Sequence, residues 1–306
     1  MTRSQKFFWI LAFLLVTVCI LTHSGLSLKY ARNGLELWFN SMVPTLLPFM
    51  ILSGTLIRMG LTDGFVMLIY PFVRLVFRVS KSACYVIIMG FMCGFPMGAK
   101  CVNDMYSLGK ISDDEAAWLL AFCNNIGPVY FVSFALPLLG CKNLWPCIFG
   151  MYGLPVLYGL FLRYTVFRNI NIKNCSNTQE QLTASKSFFT ALNESVYVSL
   201  QSIFMLGGYM ILFNLLMLLP GLFLTKSTCY IAPILEITGG LKLLGNNNPF
   251  YSMLMLSFGG LSCIAQTYSC ISHTPTPIGE YVRHKLILTA LTGIYYLLCL
   301  RFLRLW

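Results

Sequence analysis

An apolar run from Ala83 to Leu108 is interrupted near its middle by Gly90-Phe91-Met92-Cys93-Gly94-Phe95-Pro96-Met97-Gly98-Ala99-Lys100. The run is long enough to enter a bilayer, but three glycines and a proline break its helix. Backbone freed in this way cannot face lipid, where each unpaired N–H or C=O costs on the order of several kcal/mol. It must line a cavity enclosed by protein or filled with water, which is where transporters hold substrate. Lys100 follows the break at once, and a charge inside an apolar segment points to function. The competing reading is a kink relieved by neighbouring helices.

Composition sets the class. The chain has 306 residues, of which 57% are hydrophobic and only 10% charged, against about 25% charged in soluble domains. An all-α polytopic membrane protein is expected, with the lipid bilayer as its first partner. The net charge of +11 does not imply nucleic acid, because the basic residues gather at segment ends as the positive-inside rule expects. Twelve cysteines are scattered mostly through apolar runs, without C-x-x-C or zinc spacing. They read as packing residues, and neither a metal nor any other cofactor is implied.

Arg3 and Lys6 precede the apolar run Phe7–Leu21, an uncleaved first helix because Thr22-His23-Ser24 is a poor cleavage signal. Gly34–Ile57 carries Pro44 and Pro48, so a bent or partly unwound helix is expected. Gly64–Val79 and Ala83–Leu108 together read as a re-entrant hairpin or a pair of broken helices. Ser112-Asp113-Asp114-Glu115 is a capping box opening the next helix. Ala116–Leu139 is interrupted by Asn124-Asn125-Ile126-Gly127-Pro128, whose amides must bond across helices or to a ligand. Leu144–Phe167 and Phe188–Phe223 are further spans. Glu236 and Gly239-Gly240 fall in Cys229–Leu244, Gly260, Ser262 and Gln266 in Phe250–Ile271, and Leu286–Leu300 is the last span. The division is an N-terminal anchor over 1–33, a first repeat over 34–168, a polar cytoplasmic linker over 169–187 and a second repeat over 188–306.

The repeats rest on an ordered match. Met50 meets Met210, Pro71 meets Pro233, Gly94–Lys100 meets Gly260–Gln266 and Glu115 meets Glu280, an offset drifting from 160 to 166. With hairpins that return to the side they entered, the repeats would be inverted, the plan of many secondary transporters. Lys100 and Gln266 would then offer a charge and an amide to one central cavity. A lysine beside half-helix N-termini suits a carboxylate or phosphate; the alternative is that Lys100 snorkels to the surface.

The motifs Val43-Pro44-Thr45-Leu46-Leu47-Pro48-Phe49, Gly94-Phe95-Pro96-Met97-Gly98-Ala99-Lys100, Asn124-Asn125-Ile126-Gly127-Pro128, Leu235-Glu236-Ile237-Thr238-Gly239-Gly240 and Phe258-Gly259-Gly260-Leu261-Ser262 run in order over nearly the whole chain. In this the chain resembles sporulation integral membrane proteins of the YlbJ type, built from the nucleoside-recognition Gate domain. The resemblance implies two Gate-like repeats with paired hairpins, similar to concentrative nucleoside transporters. It also implies a role in moving dipicolinate towards the forespore, and a place in the membrane around it.

A transporter or facilitator for a small anionic, dipicolinate-like metabolite is therefore expected, with a nucleoside carrier as the alternative. The candidate binding residues are Gly94, Pro96, Gly98, Lys100, Asn124, Asn125, Gly260, Ser262 and Gln266. Glu236 is the candidate for coupling to H+ or Na+, or else a salt-bridge partner of Arg74. A homo-oligomer is left open. An enzyme is not expected: His23, His273 and His284 fit no zinc or nucleophile pattern, and Asp63, Asp104, Asp113 and Asp114 read as loop or segment-end residues. A non-transporting scaffold or gate protein is the third reading.

Overall fold

The computed structural model describes residues 3–141, 143–170 and 187–303, and all regular structure among them is helical. The linker expected at 169–187 lies almost wholly outside the described residues.

Helix α1 (Arg3–Thr22) is apolar and exposed along nearly its whole length, as a helix bathed in lipid is. After it α2 (Ser24–Leu37) and α3 (Val43–Arg58) form one 35-residue run long and apolar enough to span. The unwinding expected around Pro44 is instead a widened turn, a π-helix over Trp38–Met42 in which Val43 N–H donates to the Trp38 carbonyl five residues back. The same device recurs. Phe131–Ala135 is π-helical before Pro137, and Phe149–Gly153 before Pro155. Proline removes one donor from the i→i−4 ladder and crowds the preceding turn. A wider turn just ahead of it lets the axis continue without a sharp kink.

Short helices α4 (Thr62–Val66) and α5 (Tyr70–Phe77) lead to α6 (Lys81–Cys93), capped by the Ser80 side chain, with a 100° bend between α5 and α6. Helix α7 (Met97–Ser107) packs back against α6, the broken pair expected there. Helix α8 (Asp113–Phe122) opens on the expected capping box, with Glu115 N–H donating to Ser112 Oγ and Ser112 N–H to Glu115 Oε2. Past a break at Cys123–Gly127, α9 (Pro128–Tyr130) and α10 (Leu136–Leu139) continue it around the second π turn. Helices α11 (Leu144–Ile148) and α12 (Leu154–Tyr164) make the next span around the third.

The second half follows a similar order. Helix α13 (Phe188–Leu216), extended by α14 (Leu218–Phe223), packs along α2 and α3. Helices α15 (Thr228–Leu235) and α16 (Ile237–Leu244) pack closely on each other across a break at Glu236. Each is about 12 Å long at 1.5 Å per residue, too short to cross alone. Helix α17 (Pro249–Phe258) and α18 (Gly260–Cys270) are divided by Gly259, and α19 (Ile278–Leu303) closes the bundle against α17.

Element order thus pairs the folded α6–α7 with α15–α16, and the interrupted α8–α10 with α17–α18. The sequence match of Gly94–Lys100 to Gly260–Gln266 joins elements that behave differently: α7 folds back on α6, whereas α18 leaves α17 to pack on α13, α15 and α7. Eight of the eleven described cysteines are buried, as small apolar packing residues are.

Candidate functional site

Two breaks cross in the first half. The chain turns at Gly94 with φ 81°, and a Cβ there would collide with the backbone of Gly127. A Cβ on Gly98 would lie 2.6 Å from the Cys123 carbonyl and 3.0 Å from Asn124 Cα, and one on Gly127 2.6 Å from the Cys93 carbonyl. Glycine at 94, 98 and 127 is what lets the interrupted stretches of backbone touch. Asn124 then stitches the crossing: its Oδ1 accepts from Ala99 N–H at 3.3 Å, and its Nδ2 donates to Thr267 Oγ1 at 2.9 Å and Tyr281 Oη at 3.0 Å.

The second half has its own crossing. Glu236 stands in extended conformation between α15 and α16 and caps α16, accepting from Thr238 N–H at 2.9 Å and Gly239 N–H at 2.6 Å. Asn214 of α13 donates a third bond to it at 3.1 Å. A Cβ on Gly240 would collide with the backbone of Pro233, and one on Gly260 would lie 3.1 Å from the Pro233 carbonyl. Breaks therefore meet breaks in both halves.

Between the two crossings lies a cavity of about 280 Å³, near the lower end of the range for small-molecule sites. Phe95, Ile126, Gly127, Glu236, Thr238, Cys263 and Gln266 contribute from the breaks and the helices after them. Pro44, Thr45, Pro48 and Phe49 of α3 and Leu206 and Met210 of α13 close another side. The wall is mostly apolar and aromatic. Its Tyr130 hydroxyl, beside the Thr238 side chain, adds a polar group to this wall.

The residues expected to bind divide into three groups. Glu236 and Gln266 are on the wall. Gly94, Pro96, Gly98, Gly260, Asn124 and Ser262 build the crossings or the packing behind it; Ser262 is fully buried and accepts from Gln266 Nε2 at 2.9 Å. Lys100 is elsewhere. Its Nζ lies 3.5 Å from Asp104 Oδ2 one helical turn on, and it is absent from the cavity wall. Asp104 is accordingly in the last turn of α7, at a segment end. Arg74 does not bridge to Glu236; its guanidinium lies 5.9 Å from the centroid of the Tyr70 ring.

Asn125 leads to a residue that the sequence alone does not mark. Its Oδ1 accepts from Lys285 Nζ at 3.0 Å. Lys285 is 2% exposed and in the middle of a buried stripe of α19, Tyr281, Leu288, Thr292 and Tyr296. Its Nζ lies 4.5 Å from the centroid of the Phe95 ring, so Phe95 touches both this lysine and the cavity. A last span starting at Leu286 leaves Lys285 at its edge; α19 instead begins at Ile278, and Lys285 is two turns inside. Asn214, Thr267 and Tyr281 are likewise unmarked in the sequence, since nothing local distinguishes them from ordinary helix residues.

The chain is similar to Sporulation integral membrane protein YlbJ of Bacillus subtilis (strain 168). The two are 28% identical over 218 residues, covering 66% of this chain and 53% of that protein, so the chain spans about half the length of the curated relative it matches. The resemblance to YlbJ-type proteins drawn from the motifs is borne out. No family model and no solved structure matches the chain. An integral membrane relative, together with four helices long and apolar enough to cross, or five counting the bent pair, makes this a multi-pass membrane protein.

Proposed function

We propose that this chain is a transporter or facilitator that carries a small metabolite across a membrane of a sporulating cell, seating it in the cavity between the two crossings. The observation that carries the reading is the meeting of four helix breaks around one cavity. Irregular backbone at membrane depth is tolerated where it lines a protein-enclosed space, and transporters build solute sites from such paired interruptions. The recurrent element order supports two Gate-like repeats, which we propose are inverted with respect to each other. The relative's name supports a membrane of a sporulating cell as the setting, and the membrane around the forespore is the place we propose within it.

A planar aromatic solute suits the wall of Phe49, Phe95, Tyr130 and Ile126. A dipicolinate-like anion is the first candidate and a nucleoside the second, each with a planar aromatic ring and polar groups for Gln266 and Thr238. Glu236 is the group that would take up the coupling H+ or Na+. The proposal is of a carrier without catalysis or cofactor; a scaffold would have no use for an open cavity at the breaks.

The test is uptake of radiolabelled dipicolinate, with uridine as comparison, into proteoliposomes holding the full chain. Dipicolinate uptake that exceeds leakage into empty vesicles is the expected result. Uptake of uridine alone would transfer the site to nucleosides. Uptake of neither by folded protein would overturn the carrier reading in favour of a scaffold.

A further inference from the structure

We infer that Lys285 is the anchor for a carboxylate on the solute, reached from the cavity past the ring of Phe95. The inference deepens the proposed function and rests on its reading of the cavity as a solute site.

A lysine this deep is costly to keep charged unless something compensates it. Around Lys285 Nζ the compensation is partial: one amide oxygen of Asn125 at 3.0 Å, the Phe95 ring at 4.5 Å and the Tyr281 ring at 6.0 Å. An ammonium has three donors, and none of them pairs with a described carboxylate. Snorkelling is closed to it, because the side chain is buried within the stripe facing the bundle. Arg163, the other buried Lys or Arg among the described residues, has by contrast its fork filled by main-chain carbonyls, Phe77 at 3.0 Å, Arg78 at 2.9 Å and Phe167 at 2.6 Å. Of these two buried cations among the described residues Lys285 is therefore the one with capacity to spare, and the ring under its Nζ, Phe95, lines the cavity.

Phe95 is the element between them. It lines the cavity, lies under Nζ, and packs on a glycine: a Cβ on Gly259 would stand 2.9 Å from Phe95 Cζ. A ring held by a cation and a bare backbone can be replaced at that cation by a stronger partner, since a charge-assisted bond to carboxylate exceeds a cation–π contact. The stretch of wall at Glu236 is unsuited to the same group. Glu236, the one charged residue among the described lining residues, would repel it. The solute thus lies with its carboxylate toward Lys285 and its ring against the apolar wall.

The test is calorimetric binding to the purified full chain, using pyridine-2,6-dicarboxylate, benzoate and uridine as probes. Lys285→Gln is expected to weaken carboxylate binding by about ten- to a hundredfold, the range for losing a charged hydrogen bond, and Lys285→Arg to restore part of it. Asn125→Asp guards against misfolding of the glutamine variant, because it supplies an internal carboxylate to Lys285 and should weaken the same probes by competition. Equal carboxylate binding by wild type, Lys285→Gln and Asn125→Asp would overturn the inference and leave the carrier reading standing. Benzoate binding that depends on Lys285, without dicarboxylate binding, would uphold the anchor and remove the dipicolinate-like solute. Binding of uridine with no carboxylate bound at all would overturn the anchor.

Discussion

Asn124 Nδ2 lies 3.0 Å from the Tyr281 hydroxyl, joining the break between α8 and α9 to the last helix of the chain across 157 residues of sequence. The same nitrogen reaches Thr267 of α18, and Oδ1 holds the Ala99 N–H of α7. One buried amide therefore ties the first-half crossing to two helices of the second half. Asn124→Ala leaves those partners unpaired at full burial, and is expected to cost about 2–4 kcal/mol at 0.5–1.5 kcal/mol per bond plus desolvation. Thr267→Val removes one of the contacts and should cost about 1 kcal/mol. Thermal unfolding in detergent compares them; equal melting points for the two variants would mean that Asn124 does not bridge.

Glycine at the crossings gives a second, sharper contrast. Gly98→Ala places a methyl 2.6 Å from the Cys123 carbonyl, and backbone against backbone has little room to yield. A loss of about 1–3 kcal/mol is expected, as for other overpacked sites. At Gly208 of α13 a methyl would meet nothing within 4 Å, and Gly208→Ala should stabilise by about 0.5–1 kcal/mol through helix propensity alone. Melting temperatures that move in opposite directions check the pair. A tolerated Gly98→Ala would show that the two breaks are not in contact.

Arg163 locks the end of α12 to the turn after α5, donating to the Phe77, Arg78 and Phe167 carbonyls. Lysine keeps the charge but has no planar fork to reach two segments together. Arg163→Lys is expected to lower stability by about 1–3 kcal/mol, the cost of leaving buried carbonyls unpaired. Solute binding should be unchanged, because Arg163 is outside the cavity wall. Unfolding and calorimetry on the same preparation separate the two effects, and weakened binding at full stability would contradict this assignment.

What can be read from sequence follows chemistry that is local. Gly94, Pro96 and Gly98 disclose a break because their effects on φ and on backbone donors hold in any surroundings. Ser112 and Glu115 disclose a cap because the bonds span three residues. Lys100 carries its answer locally too: Asp104 stands four positions on, the spacing of a helical ion pair. Lys285 is hidden for a different reason. A lysine at the edge of an apolar run looks like a boundary, and only the start of α19 at Ile278 moves that boundary outward. The pairing of the folded elements is hidden because apolar side chains match in many alignments, whereas the fold-back of α7 on α6 and of α16 on α15 depends on contacts at a distance. The cavity itself is the sum of such contacts.

Glu236 combines two duties that substitution can pull apart. Its carboxylate caps α16 through Thr238 and Gly239 and accepts from Asn214, and it also faces the cavity. Glu236→Gln keeps one carbonyl oxygen for the cap, so the expected structural loss is about 1 kcal/mol, but the neutral amide can no longer gain and release a proton or balance a sodium ion. Wild-type proteoliposomes with an imposed H+ or Na+ gradient are expected to accumulate solute above its outside concentration. Glu236→Gln vesicles should only equilibrate, while exchange of solute for solute continues. Asn214→Ala supplies the control, for it removes a bond to the carboxylate and leaves the charge, lowering stability without abolishing accumulation. Accumulation by Glu236→Gln at the wild-type level would assign Glu236 to the cap alone and place coupling on another residue.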